Sequence, residues 1–427
     1  VRREARSSFI LISEERDTAT KLRTAGGRGG RFPALLRRVL LGAGLVLYTL
    51  LFAEGFVRVF DQQPLMPRYI SGTAWGVRGN IPYARYWHHT PEVDVQYRIN
   101  GQGLRADRDY PLRKPAGTCR IGIFGDSFLF GLEVDLRDSF ADRLEKRLRE
   151  RGFPVEVLNF SVGGFGTAEM LQTYERFGRQ FDLDTVIFSW DSSDLDDNVR
   201  SDLYRLETGK LERAHAEYLP AVDVQDMLMR YRLYRLISDH SELYTFVRER
   251  MNLFFKTRVI HVRNESLSAA DPGDAEGVPS GDPDVDELQH RNKIDLSAAI
   301  LIHAHDVVTS SGEDFYLIDI PARLSRTKFS SPLDILPDSV RSHLQIISPL
   351  AALSKTARPD LKLYYERGLG HFTPTGVQIL VDEAVERVAS SPRLASCAEG
   401  AHGTAATDES LGHATSSAGA PGSSPSK

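Results

Sequence analysis

The chain has 427 residues, with 53 Lys and Arg against 58 Asp and Glu and a formal net charge of −5. That balance excludes a generally basic nucleic-acid binder, which would neutralise phosphates with clustered cations. A composition 41% hydrophobic and 26% charged fits neither a disordered chain nor a multi-span membrane protein, and two cysteines are too few for a Cys-only zinc site or a disulfide-dense scaffold.

Residues 1–38 are basic, with Lys21, Arg23, Arg28, Arg31, Arg37 and Arg38, and the Gly-Arg stretch at 26–31 reads as part of a flexible basic linker. Val39 to Ala53 carries no charge. With its small flanking residues it supplies about 20 residues, enough to cross a hydrocarbon core of about 30 Å. Arg37 and Arg38 at its edge predict a cytoplasmic N-terminus, with the bulk of the chain translocated. The following Phe-Ala-Glu-Gly is a poor cleavage site, so the segment reads as a signal anchor. Residues 264–287 are acidic and rich in Pro and Gly, a solvated insertion; 398–427, almost without large apolar side chains, reads as a disordered tail.

Between these pieces the pattern alternates strand and helix. Arg120–Gly125 is a short apolar run read as a buried strand. Phe140, Leu144 and Leu148 recur every four residues on an amphipathic helix that stops at Gly152. Strands follow at Val155–Asn159 and Thr185–Ser189, with a helix at 167–177 between them. Residues 223–255 are helical, aromatic and Arg-rich, a peripheral insertion. A helix at 288–310 leads into the strand Asp314–Asp319, Leu361–Tyr365 is read as the last strand, and a helix at 375–390 closes the fold. This order predicts an α/β protein, a parallel sheet covered on both faces in three α/β/α layers. The chain then divides into a basic segment 1–38, a transmembrane anchor 39–58 and a linker and entry segment 59–118. An α/β domain 119–397 follows, with a helical insertion 200–260 and an acidic insertion 264–287, and then the tail 398–427.

Ligands of such sheets bind beyond the carboxyl ends of the strands. Four loops meet there: Gly125–Phe128, Ser161–Thr167, Asp191–Asn198 and Gly368–Gly376. Together they offer a serine, backbone N–H donors on glycines and a histidine, which is the inventory of serine-nucleophile acyl chemistry. Other readings of the parts are an N-cap role for Ser127 and a solvated helix start at 191–198. The loop Gly163–Gly166 lacks the third glycine of a dinucleotide fingerprint, and no P-loop Lys is present. His303 and His305 are two apart on a helix and point to different sides, a poor metal pair. No cofactor and no metal are expected.

Ile121-Gly-Ile-Phe-Gly-Asp-Ser-Phe-Leu-Phe-Gly131 is similar to the first block of the SGNH/GDSL hydrolase superfamily, and Asn159–Gly166 resembles the second. Arg98-Ile-Asn-Gly-Gln-Gly-Leu-Arg105 resembles a segment that often precedes the first block in the membrane-anchored envelope group. The likeness covers about residues 95–200 and 360–390, and no GxSxG of the other large α/β esterase fold is present. It implies an SGNH-like, flavodoxin-like fold with Ser127 as nucleophile and His371 as base. The N–H groups of Ser127 and Gly164 would hold the oxyanion, with Ser193 at the place of the family's third-block Asn. The fifth block departs further, because the acid normally two or three residues before the histidine is replaced by Gly368 and Leu369. Losing one oxyanion donor costs roughly 10²–10³ in rate, and losing a triad acid roughly 10⁴. Glu366 and Asp194 are the candidates for a substitute orienting acid.

The resemblance implies an esterase or O-acetyltransferase acting on O-acyl esters of an envelope carbohydrate. It places the chain as a single-pass protein of a bacterial inner membrane with its domain in the periplasm. The competing reading is a catalytically degenerate domain that binds glycan or scaffolds an assembly complex. The partners expected are therefore a carbohydrate or acyl-ester substrate and the lipid bilayer, and no nucleic acid; oligomeric state is left open.

The topology also bears on the cysteines. Cys119 opens the first strand at the amino edge of the sheet, and the closing helix runs back towards that edge before Cys397. An oxidising compartment would let the two pair; the alternative is two unrelated thiols, with Cys397 at the start of the tail.

Overall fold

A computed structural model describes residues 31–269 and 283–397. The basic segment 1–30, most of the acidic insertion and the tail 398–427 lie outside the described residues. The chain forms two compact units, Val1–Asp61 and Gln62–Lys427.

In the first unit the apolar stretch forms helix α1 (Arg31–Phe60). Its 27 residues Ala34–Phe60 are long and apolar enough to cross a membrane, spanning roughly 40 Å at 1.5 Å per residue.

The second unit begins with β1 (Ile70–Gly72), β2 (Arg78–Asn80), β3 (Arg85–His89), β4 (Asp94–Arg98) and β5 (Cys119–Phe124). Next come α2 (Ser127–Phe130), α3 (Phe140–Glu150), β6 (Val155–Asn159), α4 (Thr167–Arg176), β7 (Thr185–Trp190) and α5 (Asp194–Ser201). The insertion holds β8 (Tyr204–Glu207), β9 (Lys210–Arg213), α6 (Val222–Leu228), α7 (Arg232–His240) and α8 (Glu242–Ala269). The chain closes with α9 (Pro283–Ser310), β10 (Asp314–Asp319), β11 (Ala322–Arg323), β12 (Phe329–Ser330) and α10 (Asp338–His343). The last elements are β13 (Ile346–Ile347), α11 (Leu350–Thr356) and α12 (Pro374–Ala389).

The central sheet is five-stranded and parallel, in the order β13-β10-β7-β5-β6. Alternation along each strand sends side chains to opposite faces. Phe124, Leu158, Phe188 and Phe315 pack on one face with Leu171 and Tyr174 of α4 and Leu301 and Val308 of α9. Ile121, Ile123, Val157 and Ile318 pack on the other with Leu144 and Leu148 of α3 and Leu380, Val381 and Val388 of α12. Three layers result, and the loops after β5, β6 and β7 open at the same edge.

Two expectations need correction. The run 361–365 is not a sheet strand; β13 holds the edge beside β10, and Leu317 N–H already donates to Gln345 at that edge. Residues 363–365 instead pair back on 371–373: Tyr365 N–H donates to the His371 carbonyl at 2.8 Å and Thr373 N–H to the Leu363 carbonyl at 2.9 Å. A short turn makes this local pairing cheaper in chain entropy than a long-range one. The segment 59–118, read as a linker and entry segment, is built into the folded body. From Gln62 onward it belongs to the second unit, where β1/β2 and β3/β4 are antiparallel ribbons. Tyr69, Tyr86 and Tyr97 form a core of their own with Phe130 and Leu132.

Cys119 and Cys397 are joined in a disulfide, with Cα atoms 5.8 Å apart across a separation of 278 residues. Closing so long a loop restricts the unfolded chain, and on the chain-entropy model contributes about 5–6 kcal/mol, less any native strain. Cys397→Ser should lower the melting temperature by roughly 10 °C. Thermal denaturation of the oxidised full chain beside the variant checks it, and equal melting temperatures would remove this role.

Candidate active site

The loop that carries Ser127 follows β5. Asp126 caps α2, its carboxylate accepting from Phe128 N–H at 2.9 Å, and Ser127 is the first helical residue. The N–H at that position has no intrahelical partner. Ser127 Oγ lies 2.8 Å from Nε2 of His371, which is buried. The ring of His371 rests 4.8 Å from that of Phe128.

Neither acid singled out in the sequence reaches His371. Glu366 makes a two-pronged ion pair with exposed Arg326, at 2.6 Å on both oxygens. Asp194 is buried and ties its own loop, accepting from Thr167 Oγ1 at 2.9 Å and from Asp191 N–H at 2.8 Å. The acid at His371 is Glu133. Its Oε2 lies 3.3 Å from His371 Nδ1 and 3.1 Å from the His371 amide nitrogen, and Oε1 accepts from Leu369 N–H at 2.9 Å. Burial alone would raise its pKa, but the hydrogen bonds from His371 and from the Leu369 and His371 amides outweigh it and hold the carboxyl below its ordinary value. An ionised Glu133 accepts the Nδ1 proton and leaves Nε2 as the acceptor facing Ser127, the protonation pattern a general base requires.

A Cβ added to Gly368 would come 1.6 Å from Glu133 Oε1, so the missing side chain at 368 makes the room that the Glu133 carboxylate fills. The turn that delivers Glu133 is held from outside. Gly131 and Glu133 both have positive φ, 84° and 68°, a conformation uncommon for a non-glycine residue. Buried Arg105 clamps the turn, donating to the carbonyls of Phe130, Gly131 and Val134 while lying 4.7 Å from the Tyr97 ring. Tyr97 Oη accepts Glu133 N–H at 2.7 Å and lies 3.0 Å from His88 Nδ1. The segment 98–105 thus has a physical task. Within the sequence the only pointer to Glu133 is an acid set between Leu132 and Val134, six residues after Ser127.

Gly164, after β6, has φ of 78°. Its carbonyl accepts from Arg78 at 2.7 Å and Arg200 at 2.9 Å, which fixes the loop, while its N–H makes no hydrogen bond among the described residues. Ser193 is placed beside the site, but both its donors are engaged: its N–H with Asp191 and its hydroxyl with Asp197 Oδ2 at 3.2 Å. Burial and the neighbouring Asp191 carboxylate push Asp126 well above the usual carboxylate range. Tyr69, buried, places its hydroxyl against Gly163, where an added Cβ would meet it at 2.4 Å and Ser127 Cβ at 3.9 Å. Burial pushes the Tyr69 phenol up to about 12, so it stays protonated and able to donate.

These groups line a cavity of about 660 Å³, which also takes in His88, Arg248, Arg323 and Tyr364. Burial lowers the His88 pKa to about 4, so the imidazole is neutral at neutral pH. Its Nε2 has no partner among the described residues.

No known family description matches the sequence, and no curated protein does. Among solved structures the chain is similar to a member of the lipolytic protein G-D-S-L family from Veillonella parvula, with 10% identity, 63% of this chain and 97% of that chain covered, and a TM-score of 0.32. It is similar to a lipase/acylhydrolase from Enterococcus faecalis, with 14% identity, coverages of 63% and 95%, and a TM-score of 0.32. A third likeness is to the psychrotrophic esterase EstA from Pseudoalteromonas sp., with 10% identity, coverages of 63% and 96%, and a TM-score of 0.31. At such identities and TM-scores these likenesses carry no weight on activity.

Proposed function

We propose that the chain is a membrane-anchored serine hydrolase or O-acyltransferase of the SGNH/GDSL type, acting on O-acyl esters of an envelope carbohydrate. The hydrogen-bonded series Ser127–His371–Glu133 carries this reading. Ser127 Oγ attacks the acyl carbonyl while His371 Nε2 takes its proton. The Ser127–acyl ester forms as the bond to the leaving alcohol breaks, and His371 returns the proton to that alcohol. Water, or an acceptor hydroxyl in a transferase, then attacks the acyl-enzyme with His371 again as base. The N–H groups of Ser127 and Gly164 hold the oxyanion. A cavity mixing aromatic and charged walls suits a hydroxyl-rich ligand. The span Ala34–Phe60, the arginines Arg37 and Arg38 in its amino-terminal turns and a disulfide that needs an oxidising compartment support a single-pass protein with its body in the periplasm.

With the Ser193 donors engaged, we assign the third oxyanion donor to Tyr69. Tyr69→Phe should lower kcat by about 10², the usual cost of one such donor, with little change in KM; an unchanged kcat would remove Tyr69 from the mechanism.

The engaged Ser193 and the Asp191 carboxylate on the wall of the same cavity favour the second reading, a glycan-binding module without catalysis. A fluorophosphonate probe separates the two. Covalent labelling of the full chain on the Ser127 peptide supports the enzyme, and an unlabelled Ser127 in folded protein supports the binding module.

A further inference from the structure

The helical insertion wears part of its apolar surface outward. On α7, Leu233, Leu236 and Ile237 recur at the helical spacing of one face and are exposed, Leu233 by 68%, while Ser238 on the other side is 3% exposed. An amphipathic helix packed in the ordinary way would show the reverse. On α8, Val247, Met251 and Phe254 stand at i, i+4 and i+7 with Phe255 beside them, all exposed, and the buried Thr245 and Ile260 lie on the opposite face. Val224 and Met227 of α6 are exposed as well. Soluble proteins rarely leave contiguous apolar patches of this kind uncovered. Arg232, Arg235, Arg250 and Arg258 are also exposed on α7 and α8, and apolar faces interspersed with arginine are the composition of helices that lie in a bilayer interface.

The place of the insertion says what covers it. The candidate span ends at Phe60, and the second unit starts at Gln62, with Asp61 alone between them. Gln63 N–H donates to Glu242 Oε2, the first residue of α8, at 3.0 Å, and Arg68 is ion-paired with Asp226 of α6. Both ties hold the insertion to the stretch of chain that directly follows the anchor.

We infer that α6, α7 and α8 dock on the lipid bilayer by this apolar face, so that the acyl-ester site opens at the membrane surface. Thr245 and Arg248 of α8 line the same cavity as Ser127 and His371. The substrate class that follows is an acyl ester or acceptor carried on a lipid or held at the membrane surface. This inference rests on the reading of α1 as a membrane span.

The two native cysteines are paired, so single new cysteines can be labelled in the full chain. An environment-sensitive fluorophore is placed at Leu236→Cys or Phe254→Cys, with Leu45→Cys in the span and Leu324→Cys on an exposed loop as references. The protein is held in nanodiscs of phosphatidylethanolamine and phosphatidylglycerol with shallow doxyl-labelled lipid. Interfacial helices bury their apolar side roughly 5–10 Å deep, so positions 236 and 254 should shift to the blue and lose emission as Leu45 does, while Leu324 does not. Quenching at Leu45 with none at 236 and 254 overturns the inference and leaves the anchor standing. Unquenched labels at 236 and 254 that respond only to a second copy in the same disc overturn it in favour of self-association. Absence of quenching at Leu45 as well refutes the anchor and the docking together.

Discussion

Ser127→Ala should lower kcat for an aryl acetate by a factor on the order of 10⁶, the scale of losing a triad nucleophile. The hydroxyl is the only group on the loop after β5 within 2.8 Å of His371 Nε2, so no neighbour takes over the attack. The residual rate would come from the donors that remain, the N–H groups of positions 127 and 164 and the Tyr69 hydroxyl. Ser127 is half-buried and caps nothing; the capping carboxylate is that of Asp126. The fold and melting temperature should therefore hold. Steady-state rates on matched, folded preparations are the measurement. A variant as fast as the parent would show that ester turnover does not pass through Ser127, and the proposed mechanism would fall with it.

Glu133→Gln should cost roughly 10⁴ in kcat, the scale of replacing a triad acid by its amide. The carboxylate accepts three N–H groups, from Leu369, from the His371 backbone and from His371 Nδ1. An amide has one acceptor oxygen. If its NH₂ faces His371, it donates to Nδ1, moves the ring proton to Nε2 and leaves no base at Ser127. If it faces Leu369, two donors collide and the turn shifts. Acid stability reports the same group independently of turnover. The folded pKa of Glu133 lies below its unfolded value, so its stabilisation is complete above the unfolded value near 4.5 and fades as pH falls through the folded one. The Gln variant should lose that part of the acid limb in a denaturation series from pH 6 to pH 3. Full activity in Glu133→Gln would sink the assignment and return the orienting acid to an open question.

Much of this was legible along the chain. Apolar runs with 3.6-residue or short-strand spacing and Gly punctuation place β5, α3, β6, β7, α9, β10 and α12. Chain order alone brings Ser127 and Gly164 to one sheet edge, because parallel strands with right-handed crossovers put every carboxyl end on the same side. The same direction rule brings Cys397 back to Cys119. The charge-free run after Arg38 shows its capacity to span a membrane by composition.

What the tertiary structure decided are the contacts between segments with no shared period. Glu133 and His371 are 238 residues apart, and their meeting depends on a turn with positive φ at Gly131 and Glu133 that Tyr97 of the β3/β4 ribbon and Arg105 of the loop after it hold in place. The space that admits the Glu133 carboxylate is the missing side chain of Gly368, which no pattern in its own loop announces. The two-residue strand β13 carries too little sequence to signal itself, whereas 361–365 looks like a strand and is spent on a local pairing that presents His371. Periodicity reports which face of an element is buried; which distant carboxylate fills a gap beside a histidine depends on backbone turns and close approaches that exist only once the layers have packed.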